Sequence, residues 1–429
     1  MTASKPLYIG IDIGTSGVRA CAINAAETLL HTCKVTLPAP IKHQQSITQD
    51  ANLWWSATQK ALNQLFKLIQ ASNVVAISVN GTSGTVLICD TQGEPLAPAR
   101  MYNDAHCSHQ AKSIQLIAPK NTAVQSANSG LAKLLYLQEQ YPQADHGLHQ
   151  ADWITGKLCG HFDISDENNA LKTGYSPELT QWPDWLNQLP LSPNFLPKVV
   201  PPGTPIARLK RGLFNEFQLN PHCKIISGTT DSIAAFIATG AHKPGDAVTS
   251  LGSTLVLKIV TDTPIFAPEL GIYSHKLGNY WLAGGASNSG GNVLTKYFNS
   301  HKINELSKNL NLKYDSLAPT QLNYYPLTQA GERFPVNDPT LQPRLTPAAK
   351  NDLIFFQAIL EGISQIEHDG YVKLHQLGAP YPRQVETSGG GSANMAWQRM
   401  RQHLLNVEVK QAKNSEACYG SALLAKGRK

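Results

Sequence analysis

No stretch of this 429-residue chain approaches the length of a membrane span, so neither a bilayer-spanning protein nor a membrane partner is expected. The seven cysteines (Cys21, Cys33, Cys89, Cys107, Cys159, Cys223 and Cys418) are scattered and include no CxxC pair. A disulfide framework and a zinc knuckle therefore lack support, and reduced, mostly buried thiols in a cytoplasmic protein are expected. Met1-Thr2-Ala3-Ser4-Lys5-Pro6 runs straight into an apolar segment and leaves no room for a signal peptide. The net charge is only +6, and the basic residues are dispersed apart from Lys426-Gly427-Arg428-Lys429, which reads as a solvated terminus. Nucleic acid is not an expected partner. Familiar catalytic signatures are missing as well. There is no GxxxxGK[ST], no GxGxxG after a strand, no GxSxG and no HExxH, so a P-loop, a dinucleotide fingerprint, a nucleophile elbow and a zinc hydrolase are all unsupported.

What the chain does have is two glycine turns of one design. Asp12-Ile13-Gly14-Thr15-Ser16-Gly17 separates Leu7–Ile11 from Val18–Ile23, and Ser250-Leu251-Gly252-Ser253-Thr254 separates Ala247–Thr249 from Leu255–Val260. Strand, tight turn, strand is a hairpin, and such turns offer small residues, backbone N–H groups and hydroxyls that suit phosphate oxygens. One copy is an ordinary turn. Two related copies predict a duplicated fold gripping a polyphosphate between its halves.

The intervening pattern is α/β. A third strand is expected near Thr28 to Leu37, a helix from Asp50 through Ile69, and a buried strand over Val74–Val79 ending in the turn Asn80–Thr85. Val86–Asp90 reads as a strand, and Leu131–Leu137 and Ala151–Ile154 read as helical. Lys224–Thr230 is strand-then-turn and Ser232–Ala238 a small-residue helix stopped by Gly240. Tyr280–Ala283 is a strand ending in Gly284-Gly285-Ala286-Ser287-Asn288. Phe355–Leu374 is a long helix, Gln384–Thr387 a strand, and another helix starts near Ala393-Asn394.

Asp12, directly before a phosphate turn, would repel phosphate unless a divalent cation intervened. A Mg²⁺ role is preferred to a turn cap, because the second copy of the motif lacks the acid. Asp231 at a strand-to-helix junction reads either as a plain N-cap or as a base that orients a substrate hydroxyl, and the residues alone leave both open. Ser388-Gly389-Gly390-Gly391-Ser392-Ala393-Asn394 offers a flat backbone against which a purine or ribose can lie, with Asn394 placed to hydrogen-bond it. Trp397 reads as core before it reads as a base neighbour. Gly284–Asn288 is a further candidate for backbone approach to the nucleotide, each glycine cluster being a weak signal by itself.

In this order, Ile11–Ser16, Gly228–Ser232, Leu251–Thr254, Gly331-Glu332-Arg333-Phe334-Pro335 and Ser388–Gly391 resemble the FGGY carbohydrate kinases of the actin–hexokinase superfamily, over essentially the whole chain. Asn80–Thr85, Gln150–Trp153, Asn169–Lys172 and Tyr273–Leu277 are similar to a short xylulokinase-like branch of cyanobacteria and plant plastids whose members are D-ribulose kinases. The resemblance implies an α/β fold of two actin-like (ribonuclease H-like) domains with a central cleft. The expected division is a sugar-binding and catalytic domain over 1–238 and a nucleotide-binding domain over 239–429, with a helix within 412–429 packing back on the first. It implies Asp231 as catalytic base, with Asp12 and Thr15 serving the metal and the transferring phosphoryl group. Asp12, Ser83 and Asp231 would face the sugar. Thr15, Ser16, Gly252, Ser253 and Thr254 would hold phosphates, and Gly285, Gly390, Gly391 and Asn394 would hold the rest of the nucleotide. ATP with Mg²⁺ is the implied phosphoryl donor, D-ribulose the implied acceptor, and monomer or homodimer the expected state. The alternatives are a D-xylulose or other ketose or polyol kinase and an actin-like ATPase without sugar phosphorylation. Two departures stand out: Asn80 where the pattern implies an aspartate, with an expected effect on sugar contact, and a chain shorter than most of the family.

Overall fold

The computed structural model describes residues 5–313 and 318–428, so Met1–Ser4 of the apolar-segment reading and Lys429 of the basic tail lie outside the described residues. Two compact units emerge. One runs to Gly240 and takes in the segment from Glu416 onward, and the other is Ala241–Ser415.

The first unit opens with β1 (Leu7–Ile13), β2 (Gly17–Asn24) and β3 (Leu29–Thr36), joined as an antiparallel meander. Ile9, Ile11 and Ile13 are fully buried, as are Ala20 and Ala22, because helices cover the sheet and leave its strands with little polar alternation. The helix α1 (Ala51–Phe66) begins where Asp50 accepts a hydrogen bond from the Asn52 N–H at 2.9 Å. Its Trp54, Ala57, Ala61, Leu62 and Leu65 recur at helical spacing and fill the core. Next come β4 (Val74–Gly81), α2 (Gly130–Gln140), α3 (Gln150–Cys159), β5 (Lys224–Thr230) and α4 (Asp231–Thr239). Among the described residues the main sheet has six strands in the order Pro205–Arg208, β5, β4, β1, β2, β3, with β1, β4 and β5 parallel.

The second unit repeats this plan. Its hairpin is β6 (Asp246–Leu251) with β7 (Leu255–Thr261), followed by β8 (Tyr280–Ser287), α5 (Asp352–Gln376), β9 (Gln384–Ser388), α6 (Met395–Leu405) and β10 (Glu408–Gln411). The sheet order is His275–Leu277, β8, β7, β6, β9, β10, with β6, β9 and β10 parallel. Each hairpin thus has two parallel strands on one side and an antiparallel strand on the other. The duplication is one of topology, two α/β domains of the same actin-like plan.

The last helix, α7 (Ala417–Lys426), belongs to the first unit. A side chain at Gly10 would run into the Cys418 carbonyl, and one at Gly420 into the Ala234 carbonyl. Glycine at both positions lets β1, α7 and α4 approach backbone to backbone. Lys426 pairs with Glu27 at 2.8 Å and Arg428 lies 3.7 Å from the same carboxylate, so these tail cations are tied down rather than merely solvated. All seven cysteines are free, and all but Cys159 are buried. Among the described residues no helix is long and apolar enough to cross a membrane.

Candidate active site

The carboxyl ends of β1, β4 and β5 lie side by side. Asp12 is in register with Asn80, and both Ile13 and Thr230 are in register with Gly81. Ligands of open α/β sheets bind outside such strand ends. Here the strand ends deliver Asp12, the turn after Gly81 and Asp231 to one edge of the first unit.

Asp12 is 5% exposed, and Arg19 across the hairpin donates to its Oδ2 at 3.3 Å. Burial, and then the negative charge of Asp231, push its carboxyl up to about 7, with Arg19 pulling the other way. Two carboxylates that disfavour each other's charge are relieved by a cation between them. Among the described residues no three His, Cys, Asp or Glu side chains cluster as a metal cage. A Mg²⁺ ion bound here would have Asp12 as a carboxylate partner and would take its remaining oxygens from phosphate and water. Thr15 is half-buried and Ser16 exposed at the tip of the hairpin, where the Gly14 N–H closes the turn on the Gly17 carbonyl at 3.0 Å.

Asp231 is the first residue of α4, and Thr230, not Asp231, holds the N-cap position. The Asp231 Oδ1 accepts from the Ser232 N–H at 2.6 Å, and the side chain is half-buried. The plain N-cap reading is therefore not how this aspartate sits. The turn after β4 is stiffened by Gln150, whose Oε1 accepts both the N–H and the hydroxyl of Thr82 at 2.9 Å. The hydroxyls of Thr82 and Thr85 meet at 2.6 Å. Ser83 Oγ, Gln150 Nε2 and Thr230 Oγ1 are buried and have no hydrogen-bond partner among the protein's described residues. Asn80 makes no outward contact. Its Nδ2 donates to the carbonyls of Ile11 and Ala417 at 3.2 and 3.1 Å and to Ser421 Oγ at 2.7 Å. This fully buried amide ties β1 and β4 to α7 through its Nδ2, while its Oδ1 is buried and has no partner among the protein's described residues.

In the second unit, a cavity of about 620 Å³ is lined by Gly252, Ser253, Gly390, Gly391, Asn394 and Trp397, among others. Trp397 is 3% exposed and donates its indole N–H to Ser364 Oγ at 3.0 Å, so it is core and pocket wall together. A side chain on Gly391 would strike this ring at 2.6 Å. Asn394 caps α6, accepting from the Trp397 N–H at 3.0 Å and donating to Ser307 Oγ at 3.2 Å, so its amide shapes the wall with both ends engaged. Gly285 does not join this pocket. The strand expected to stop at Ala283 continues to Ser287, and the space of a Gly285 side chain is filled by the Phe334 ring. Thr254 is likewise outside the lining.

The sequence reading missed the helix Ser300–Lys313, whose Asn304, Ser307 and Asn311 line the same cavity. Polar residues spaced three and four apart on one helix face were the available signal. The Gly331–Pro335 segment has a structural part: Glu332 accepts from Ser287 Oγ, the Asn288 N–H and Tyr325 at 2.5, 2.7 and 3.2 Å and anchors the end of β8.

The N-terminal domain of the FGGY family of carbohydrate kinases matches residues 7–238, and its C-terminal domain matches 247–426. A xylulose kinase of Staphylococcus epidermidis is 24% identical over 443 residues, covering 98% of this chain and 88% of the relative. Among solved structures, a xyloylose kinase from Brucella ovis has a TM-score of 0.83 at 23% identity, covering 98% of this chain and 90% of that one. A gluconate kinase from Lactobacillus acidophilus has a TM-score of 0.84 at 18% identity, covering 99% and 89%. At those identities the solved structures speak for the fold, and a fold shared by kinases of different substrates does not choose the sugar. The chain belongs to the FGGY family of carbohydrate kinases, as an ATP-dependent sugar kinase.

Proposed function

We propose that this kinase phosphorylates the terminal hydroxyl of D-ribulose, giving D-ribulose 5-phosphate and ADP. The observation that carries a polyhydroxylated acceptor is the edge of the first unit, where Asp12 and Asp231 sit beside the unpartnered Ser83 Oγ, Gln150 Nε2 and Thr230 Oγ1. Buried polar atoms that the protein itself leaves unpaired are the atoms a hydroxylated ligand would satisfy. The choice of D-ribulose rests on the likeness of residues 80–85, 150–153, 169–172 and 273–277 to the D-ribulose-kinase branch.

Asp231 accepts a hydrogen bond from the reacting hydroxyl and fixes its oxygen in line with the γ-phosphorus. An aspartate is a weak base, about 3.9 in water, so the proton moves late, after most of the P–O bond to ADP has loosened. The hydroxyl oxygen gains the phosphoryl group, ADP leaves, and the proton passes through Asp231 to solvent. Positioning supplies most of the rate. Asp12 would hold Mg²⁺, which neutralises charge on the phosphates when bound. Gly252 and Ser253 would cradle the β/γ-phosphates, and Gly390, Gly391 and Asn394 would border the adenosine.

The second reading is a D-xylulose kinase, favoured by xylulose kinases among the relatives. ADP release measured with D-ribulose, L-ribulose, D-xylulose and glycerol decides between them. The highest kcat/KM is expected for D-ribulose. A higher value for D-xylulose would overturn that choice, and ADP release indifferent to every sugar would point to an ATPase.

A further inference from the structure

Lys133 breaks three local rules at once. It is fully buried, with 0% exposure. It stands in the first turn of α2, where the helix dipole disfavours a cation. Among the described residues no carboxylate lies within ion-pair distance of it, and the nearby Asp104 is engaged with Arg100 at 3.0 Å. Instead its ammonium donates to three main-chain carbonyls: Gly84 at 2.6 Å, Met101 at 2.9 Å and Tyr102 at 3.4 Å. A buried cation without a counterion is costly for stability, and such violations concentrate at functional sites.

The three carbonyls come from two separate pieces of chain. Gly84, at φ +83, belongs to the turn that carries Ser83, and Met101 and Tyr102 follow the strand Ala99–Arg100. The same two pieces are tied a second time, since the Tyr102 N–H donates to Thr85 Oγ1 at 3.0 Å. Ser83 is thus held from one side by Thr82, Thr85 and Gln150, and from the other by Lys133.

We propose that Lys133 is a positioning residue for the acceptor site: its ammonium clamps the 82–85 turn to the 101–102 segment and so fixes where Ser83 meets the sugar. The inference rests on the acceptor site assigned above. It predicts an effect on sugar affinity and none on nucleotide affinity, because the ammonium's three acceptors all belong to the first unit.

Burial pulls the Lys133 amine down to about 7, opposed by Asp104 and Cys107 and reinforced by Arg100. His149 also feels its charge, together with that of Lys172, and burial first of all keeps that imidazole neutral. A neutral amine has two N–H donors for three carbonyls. The clamp therefore slackens as pH rises through about 7.

The test is steady-state kinetics on the full-length protein, varying ketose at saturating ATP and ATP at saturating ketose, for the parent, Lys133→Met and Lys133→Gln. In both variants the ketose KM rises about tenfold or more, while the ATP KM stays within about twofold. The parent's ketose KM climbs across neutral pH, and more steeply than the variants', in which Asp12 still titrates near 7. The parent's own profile needs no variant to fold. An unchanged ketose KM in a folded variant, equal rises in both KM values, or a parent ketose KM independent of pH overturns the inference. A parent that turns over no ketose overturns the acceptor-site assignment and this inference with it, and is read from the parent alone.

Discussion

The two hairpins share a backbone plan and differ in what lies around it. Asp12 in the first occupies the place of Ser250 in the second, and the cross-strand partners are Arg19 and Val256. Beneath the second hairpin, the polar core is closed. Glu367 takes Arg401 at 2.5 and 2.7 Å, Arg401 reaches Thr387 at 2.8 Å, and Thr249 bonds both Glu367 and Tyr371. By contrast, every buried side-chain nitrogen or oxygen without a partner among the described residues lies in the first unit, including Ser83, His149, Gln150, Asn169 and Thr230. One copy of the fold completes its polar contacts internally and presents a glycine-lined cavity. The other leaves contacts open beside two acids. Duplication supplied the geometry, and the side chains divided the labour.

Breaking the acidic copy gives the largest expected effect. Asp231→Asn lowers kcat by about a hundred- to ten-thousandfold while ATP binding persists, measured by turnover alongside nucleotide titration. Near-normal turnover would remove Asp231 from the mechanism. Asp12→Asn comes next, with kcat down about a hundredfold. It should nonetheless stabilise the empty protein. The folded carboxyl sits near 7, above its ordinary value of 3.8, so the native state loses stability as pH climbs between those values. The gain at alkaline pH is on the order of 2–4 kcal/mol, vanishes below the ordinary carboxyl value, and is read as Tm against pH. A lower Tm for Asp12→Asn at high pH would contradict the burial account.

The glycine-lined copy responds differently. Gly391→Ala drives a methyl into the Trp397 ring and Leu251. The ATP KM should rise about tenfold with the ketose KM unmoved, at a stability cost of about 1–3 kcal/mol. Ser83→Ala is the smallest change, raising the ketose KM by about three- to tenfold with ATP unaffected. Were Gly391→Ala to alter the ketose KM and Ser83→Ala the ATP KM, the division between the copies would not hold.

Much of this was legible in the chain. Alternating or continuous apolar runs bounded by glycine placed β1, β2, β4, β6, β7 and β9 to within a few residues, and Asp50 announced α1. The failures have physical causes. Gly284 and Gly285 looked like punctuation, but β8 runs through them: the space of a Gly284 side chain is taken by the Leu257 carbonyl of the neighbouring strand, and that of Gly285 by the Phe334 ring. Asn80 drew notice as a departure from the family's aspartate, and only the fold shows that its Nδ2 is spent on Ile11, Ala417 and Ser421 while its Oδ1 stays without a partner among the described residues. Lys133 was indistinguishable from any helical lysine, since nothing local marks a side chain whose three acceptors lie 31 to 49 residues away.

By itself the sequence determined the elements and the pair of phosphate-type turns, because periodicity, caps and turn chemistry act over a few neighbouring residues. Tertiary structure alone decided which polar atoms are spent on the protein and which remain open. It set Asp12 against Asp231 across 219 positions of chain, raising one acid by burying it near the other. It also turned a helical lysine into a clamp. Burial, charge proximity and hydrogen-bond satisfaction are properties of neighbours in space, and those neighbours exist only once the sheet has brought its strand ends together.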